Sequence, residues 1–127
     1  MATVEGETDS PAVRWTLWTL CVTAWTLVLT TSAPAHVMHD VLPAQATFPV
    51  AKTAHVLGYA FLTILSGWLH VRGDRRWFLL AFLSLHGMAT EYIQTYVPDR
   101  SGSWRDVGLD HIGVVLGLVL SWKWWRS

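Results

Sequence analysis

Charged side chains are scarce: Asp, Glu, Lys and Arg make up 14% of the 127 residues, against roughly 25% in a typical soluble domain. They also leave long stretches almost without charge, which argues against an ordinary soluble enzyme with a polar exterior. Nine basic residues balance nine acidic ones, so no charge excess attracts nucleic acid or an acidic partner. A single cysteine, Cys21, excludes an internal disulfide and any cysteine-based structural zinc site. It is read as a small buried apolar residue. No internal repeat and no low-complexity tract interrupts the chain, and its length fits one domain at most.

What is abundant is apolar: 52% of the residues, with nine tryptophans. A bilayer core of about 30 Å needs roughly 20 helical residues. Four segments approach that length: Trp15 to Ala33, Ala54 to Val71, Trp77 to Val97, and Val107 to Trp125. The expected fold is therefore all-α, a polytopic four-transmembrane-helix bundle. Residues 1–14 form a short cytoplasmic tail and 15–127 the membrane domain. With the N-terminus inside, the cytoplasmic segments hold Arg14, Arg72, Arg75, Arg76, Lys123 and Arg126, and the external ones Lys52, Arg100 and Arg105. The excess of basic residues inside places both termini in the cytoplasm. The run Arg72 to Arg76 then serves as a topology anchor. Trp15, Trp18, Trp68, Trp77, Trp122, Trp124 and Trp125 gather at the inner boundary, where indole rings favour the headgroup level. Ala33-Pro34-Ala35 has the form of a signal cleavage site. The leader, with Glu5, Glu7, Asp9 and Arg14, is net negative, however, and the apolar region is longer than a signal core, so the span is expected to be retained.

Helical spacing gives each span one small or polar stripe. In the first, Thr16, Thr19, Thr23, Thr26 and Thr30 suggest a packing seam. The second carries Lys52, His55, Tyr59, Thr63 and Ser66, the third Ser84, Gly87, Glu91 and Gln94, and the fourth Asp106, Asp110, Gly113 and Gly117. The last two glycines make a Gly-x-x-x-Gly seam for close helix approach. The ionisable members all fall in the outer half of their spans, whereas Ser66, Ser84, Gly87 and Gly117 are small and lie deeper. An outward-facing polar pocket, closed below, is the expectation. An ionised carboxylate at mid-membrane costs about 2.5 to 3.5 kcal/mol. Glu91 must therefore be paired, with His55, Lys52 or Arg100, or protonated. It serves either function or helix register.

Lys52-x-x-His55-x-x-x-Tyr59, then Glu91-x-x-Gln94, Pro98-x-Arg100, Ser103-x-x-Asp106 and Gly113-x-x-x-Gly117 form an ordered set over about residues 51–120. The set resembles the VanZ-like family of small bacterial membrane proteins. Ala51 stands where that family usually has Asp, and Asp110 where Asn is usual, so the pocket here gains one ionisable group and its rim loses one. The resemblance implies a multi-pass protein of the bacterial cytoplasmic membrane and a role in the cell envelope. The family is named for a member linked to low-level resistance to teicoplanin, a glycopeptide, and no biochemical activity follows from the resemblance.

Two function classes remain open. In the first, the pocket takes a lipid-linked or phosphate-bearing headgroup, such as a membrane lipid or a lipid-linked cell-wall precursor. Lys52, Arg100 and Arg105 would hold phosphate, His55 and Glu91 would act as acid and base, and Gln94 and Asp106 would orient the cations. Tyr59, Ser103 and Asp110 complete the expected ligand-binding set. In the second, the protein is a non-catalytic binding or scaffold protein for another membrane component. A proton pathway would need polar groups continuing to the inner face, which the stripes do not supply. His36-x-x-His39-Asp40 is a weak metal pattern in a loop broken by Pro34, Pro43 and Pro49, read as an irregular cap. No cofactor and no metal site is expected. His70, His86 and His111 fall off the polar stripes and are read as interfacial or packing residues. Oligomeric state is not written in the sequence.

Overall fold

The computed structural model describes residues 10–97 and 104–126, and every element among them is helical. Helix α1 spans Pro11–Thr30, α2 Ala33–Val41, α3 Ala44–Trp68, α4 Arg76–Gln94, α5 Trp104–Leu120, and the final turn α6 Trp122–Trp125; a 3-10 turn, Gly73–Arg75, leads into α4. Ser10 starts α1 by accepting from the Val13 amide at 3.3 Å, and Pro11 follows in the first turn, where no amide donor is required. His70 ends the chain's path out of α3 with φ +52°. This is the left-handed residue that commonly closes a helix.

The segment between the first two apolar runs is not an irregular cap. It forms α2, and α3 begins at Ala44, ten residues before the expected start. The three prolines misled for one physical reason: proline near a helix N-terminus removes few bonds. Pro34 lies in the first turn of α2, Pro43 immediately precedes α3, and only Pro49 lies inside a helix. It removes one backbone donor there. At the other end, the fourth apolar run is interrupted. α5 stops at Leu120, Ser121 donates to the Gly117 carbonyl at 2.6 Å, and α6 turns Trp125 back into the interior, where its indole donates to Ser121 Oγ at 3.1 Å.

Contact is most extensive between α3 and α5. The Gly-x-x-x-Gly seam makes it so: a Cβ on Gly113 would stand 2.4 Å from the Val56 carbonyl oxygen, and one on Gly117 2.4 Å from that of Ala60. Glycine is required where two backbones meet this closely. Gly58 accommodates the Trp25 ring from α1, Gly67 the Trp125 ring, and Gly87 of α4 faces Asp110 of α5. One apolar core joins Leu29, Tyr59, Leu62, Leu83 and Val114; a second, toward the other end, joins Leu69, Leu79 and Trp125.

The threonine stripe of α1 is not its packing seam. Thr16, Thr19 and Thr23 are exposed, and the packed side is Trp18, Cys21, Val22, Trp25 and Leu29. Thr16, Thr19, Thr26 and Thr30 donate to carbonyls four residues back on their own helix. A hydroxyl satisfied in this way needs no partner helix, and of these four only Thr26 also bonds to one among the described residues, at His86 of α4. Cys21 packs against the first core, half-buried and unbridged.

Polarity is inverted relative to a water-soluble bundle. His55, Thr63, Ser66, Thr90, Glu91, Gln94, Asp106, Asp110 and Ser121 are buried, while Leu20, Phe61, Phe78, Leu85 and Val119 are more than half exposed. Helices α1 and α3 are long and apolar enough to cross a membrane.

Candidate functional site

The start of α3, the end of α4 and the start of α5 meet at one end of the bundle. Lys52, His55 and Tyr59, at helical spacings of three and four, fall on the side of α3 that faces both neighbours. The Lys52 ammonium pairs with Asp106 Oδ1 and also lies 5.0 Å from the Phe48 ring centre. His55 Nδ1 is 2.9 Å from Asp110 Oδ1 and 3.9 Å from Glu91 Oε1. Three helices are thereby tied through two polar relays. Donor atoms of His55, Glu91 and Asp106 all lie within 4.8 Å of one another, and all three residues are buried.

Above this cluster a cavity of about 230 Å³ is lined by Lys52, His55, Gln94 and Asp106, with Met38 and His39 contributed by α2 and Phe48 by the first turns of α3. Helix α2 thus forms one wall of the cavity, which the reading of this segment as a loop did not foresee. Gln94 is 2% exposed and its amide nitrogen has no hydrogen-bond partner among the described residues. Such a donor is costly unless something accepts from it. Glu91 and Asp110 do not line the cavity wall; they sit against His55.

Beneath the cluster a second polar chain runs inward. Tyr59 is fully buried, its hydroxyl 2.9 Å from His86 Nδ1 and 3.3 Å from Thr90 Oγ1. His86 Nε2 is 2.7 Å from Thr26 Oγ1, which itself donates to the Val22 carbonyl. With that proton placed, His86 Nε2–H donates to Thr26, and a neutral ring then accepts from the Tyr59 hydroxyl at Nδ1. His86 therefore belongs to the polar interior, contrary to the expectation of a packing residue. Its stripe signal was present four residues on, at Thr90, but its partners come from α1 and α3. His111 is likewise engaged: Nδ1 donates to the Val107 carbonyl at 2.7 Å and Nε2 accepts from Ser84 Oγ at 2.6 Å. His70 meets Trp124 edge to face, with ring centres 5.9 Å apart.

Seven of the nine expected site residues are brought into this region: Lys52, His55, Tyr59, Glu91, Gln94, Asp106 and Asp110. Tyr59 points to His86 rather than to the cavity. Arg105 is exposed on the first turn of α5. Arg100 and Ser103 lie outside the described residues. At the opposite end of the bundle Arg14 donates to the Trp68 carbonyl at 3.1 Å, Trp77 stacks on Trp125, and Arg76 and Lys123 lie over Trp77 and Trp124.

No curated protein and no solved structure matches the chain. The ordered Lys-His-Tyr, Glu-Gln, Asp and Gly-x-x-x-Gly elements converge in space as described, and the VanZ/LLP1 family model matches residues 7–126, so the chain belongs to the VanZ-like family.

Proposed function

We propose that this is a multi-pass protein of the bacterial cytoplasmic membrane, crossing it four times with both termini inside. Its outward-facing polar pocket takes the phosphate-bearing headgroup of a membrane lipid or a lipid-linked wall precursor. The 19 residues of α4 and 17 of α5 give lengths of about 29 and 26 Å at 1.5 Å per residue, near the thickness of a bilayer core. The apolar outer surface supports the same reading, as do the tryptophan and basic residues grouped at the end away from the pocket.

The observation that carries the headgroup reading is the presence on one small cavity of Lys52 and of the Gln94 amide, which has no hydrogen-bond partner among the described residues. An ammonium and an amide donor suit phosphate oxygens, and Arg100, by its place in the motif, is a further candidate. His55 and Glu91 would supply acid–base chemistry in an enzyme. A non-catalytic binding role is favoured by a separate observation: Lys52 and His55 are already engaged by Asp106 and Asp110, as groups that fix helix register would be. The family resemblance adds a contribution to glycopeptide (teicoplanin) resistance, which either reading could serve through altered wall precursors or their shielding.

The test compares lipid extracts, by mass, from cells with and without the protein. A changed headgroup or wall precursor supports an enzyme. An unchanged extract, with phosphatidylglycerol nanodiscs retaining headgroup contact that Lys52→Ala abolishes, supports a binder. No change in the extract and no loss of contact in Lys52→Ala would sink the headgroup reading altogether.

A further inference from the structure

We infer that the buried cluster of His55, Glu91 and Asp106 is a divalent-cation site, suited to an ion of the Zn²⁺ or Mn²⁺ type. It stands whether or not a headgroup enters the cavity. The donor set is one imidazole and two carboxylates, one each from α3, α4 and α5. Mixed nitrogen and oxygen donors suit these ions better than Mg²⁺ or Ca²⁺, which prefer oxygen alone. Two donors bound about 2.1 Å from one ion stand about 3 to 4 Å apart. One donor atom from each of the three residues lies within 4.8 Å of the other two, so side-chain shifts of about 1 Å would bring the set to that spacing.

Two further observations point to a ligand. Asp110 Oδ1 holds the His55 ring through Nδ1 at 2.9 Å, so the ion would be bound by Nε2, as in the carboxylate–histidine arrangement that orients metal-binding imidazoles; the Asp110 Oδ2 is buried without a hydrogen-bond partner among the described residues. Gln94, buried on the cavity shared by His55 and Asp106, presents an amide donor that nothing among the described residues accepts from. A water or phosphate oxygen on the ion would accept it. The Lys52 ammonium on Asp106 is then a resident cation that the metal must displace, so affinity is set by competition between the two.

The experiment uses the full-length protein in nanodiscs, stripped with a chelator and titrated with ZnCl₂ or MnCl₂ alone, with metal per chain measured by mass spectrometry and binding by calorimetry. One saturable ion per chain is expected. His55→Gln and Glu91→Gln should abolish it, Asp110→Asn should weaken it by about 10- to 100-fold, and Lys52→Met should tighten it. The opposite direction of the Lys52 change separates loss of a ligand from loss of fold. Absence of saturable binding in the wild-type protein would overturn the inference. So would binding that persists in Glu91→Gln but disappears in a His36→Ala/His39→Ala double variant, or a Lys52→Met variant that keeps the helical circular-dichroism spectrum of the wild type and binds no more tightly. Because the titration contains only metal, its failure leaves the headgroup reading standing, and the reverse also holds.

Discussion

Gly117 of α5 rests against the carbonyl oxygen of Ala60 on α3, so closely that a Cβ would stand 2.4 Å from it; Gly113 repeats the contact one turn away at Val56. The atoms in the way are backbone, which cannot rotate aside. Gly117→Val should therefore force α3 and α5 apart and destabilise the bundle by about 1 to 3 kcal/mol, the usual cost of overpacking. Gly108→Ala, where a Cβ meets open space, should be nearly silent. Thermal unfolding of both variants in one detergent checks this; equal midpoints would contradict the seam.

The Lys52–Asp106 pair joins the same two helices from their polar end. Asp106 is nearly buried while Lys52 keeps a quarter of its side chain exposed. Removing the lysine alone leaves a buried carboxylate deprived of that partner, and Lys52→Met should cost about 3 kcal/mol or more. Adding Asp106→Asn should recover part of the loss, giving a coupling energy of about 0.5 to 3 kcal/mol. Strict additivity in the double-mutant cycle would mean that the pair contributes nothing.

Tyr59 and His86 make a different test because both partners are uncharged. Tyr59→Phe removes the donor from His86 Nδ1 in a buried setting and should cost about 1 to 3 kcal/mol, whereas Tyr59→Phe combined with His86→Phe should cost less than the single change if the replacement rings fit. The nitrogen-15 shifts of His86 provide a second measurement. They should report the Nε2–H tautomer in the wild-type protein. The Nδ1–H tautomer would refute the proton order Tyr59 to His86 to Thr26.

Topology is open to direct labelling, since the single cysteine is easily removed. In a Cys21→Ser background, a cysteine at exposed His36 should react with a membrane-impermeant maleimide added to intact spheroplasts. One at exposed Arg75 should react only after lysis. The reverse pattern would invert the chain and put the pocket on the cytoplasmic side.

Much of the architecture was legible because helical periodicity needs only the sequence. The stripes of α3, α4 and α5 repeat every three or four residues, so Lys52, His55, Glu91, Gln94, Asp106 and Asp110 could be assigned inward faces without coordinates. The Gly-x-x-x-Gly pattern likewise announced a close approach. The α1 face was misread because threonine's polarity says nothing about what satisfies it, and here the helix's own carbonyls do. Helix α2 was missed because proline reads as a breaker unless its position within the first turn is known.

The sequence alone determined the apolar exterior, the family and the azimuth of each polar residue, since these depend on composition and local spacing. The tertiary structure decided the pairings: Gly117 with Ala60, Lys52 with Asp106, His55 with Asp110 in preference to the more distant Glu91, and Tyr59 with His86. Depth and rotation of one helix against another fix such distances. They are set by how side chains interlock across helices, which no repeat within a single helix encodes.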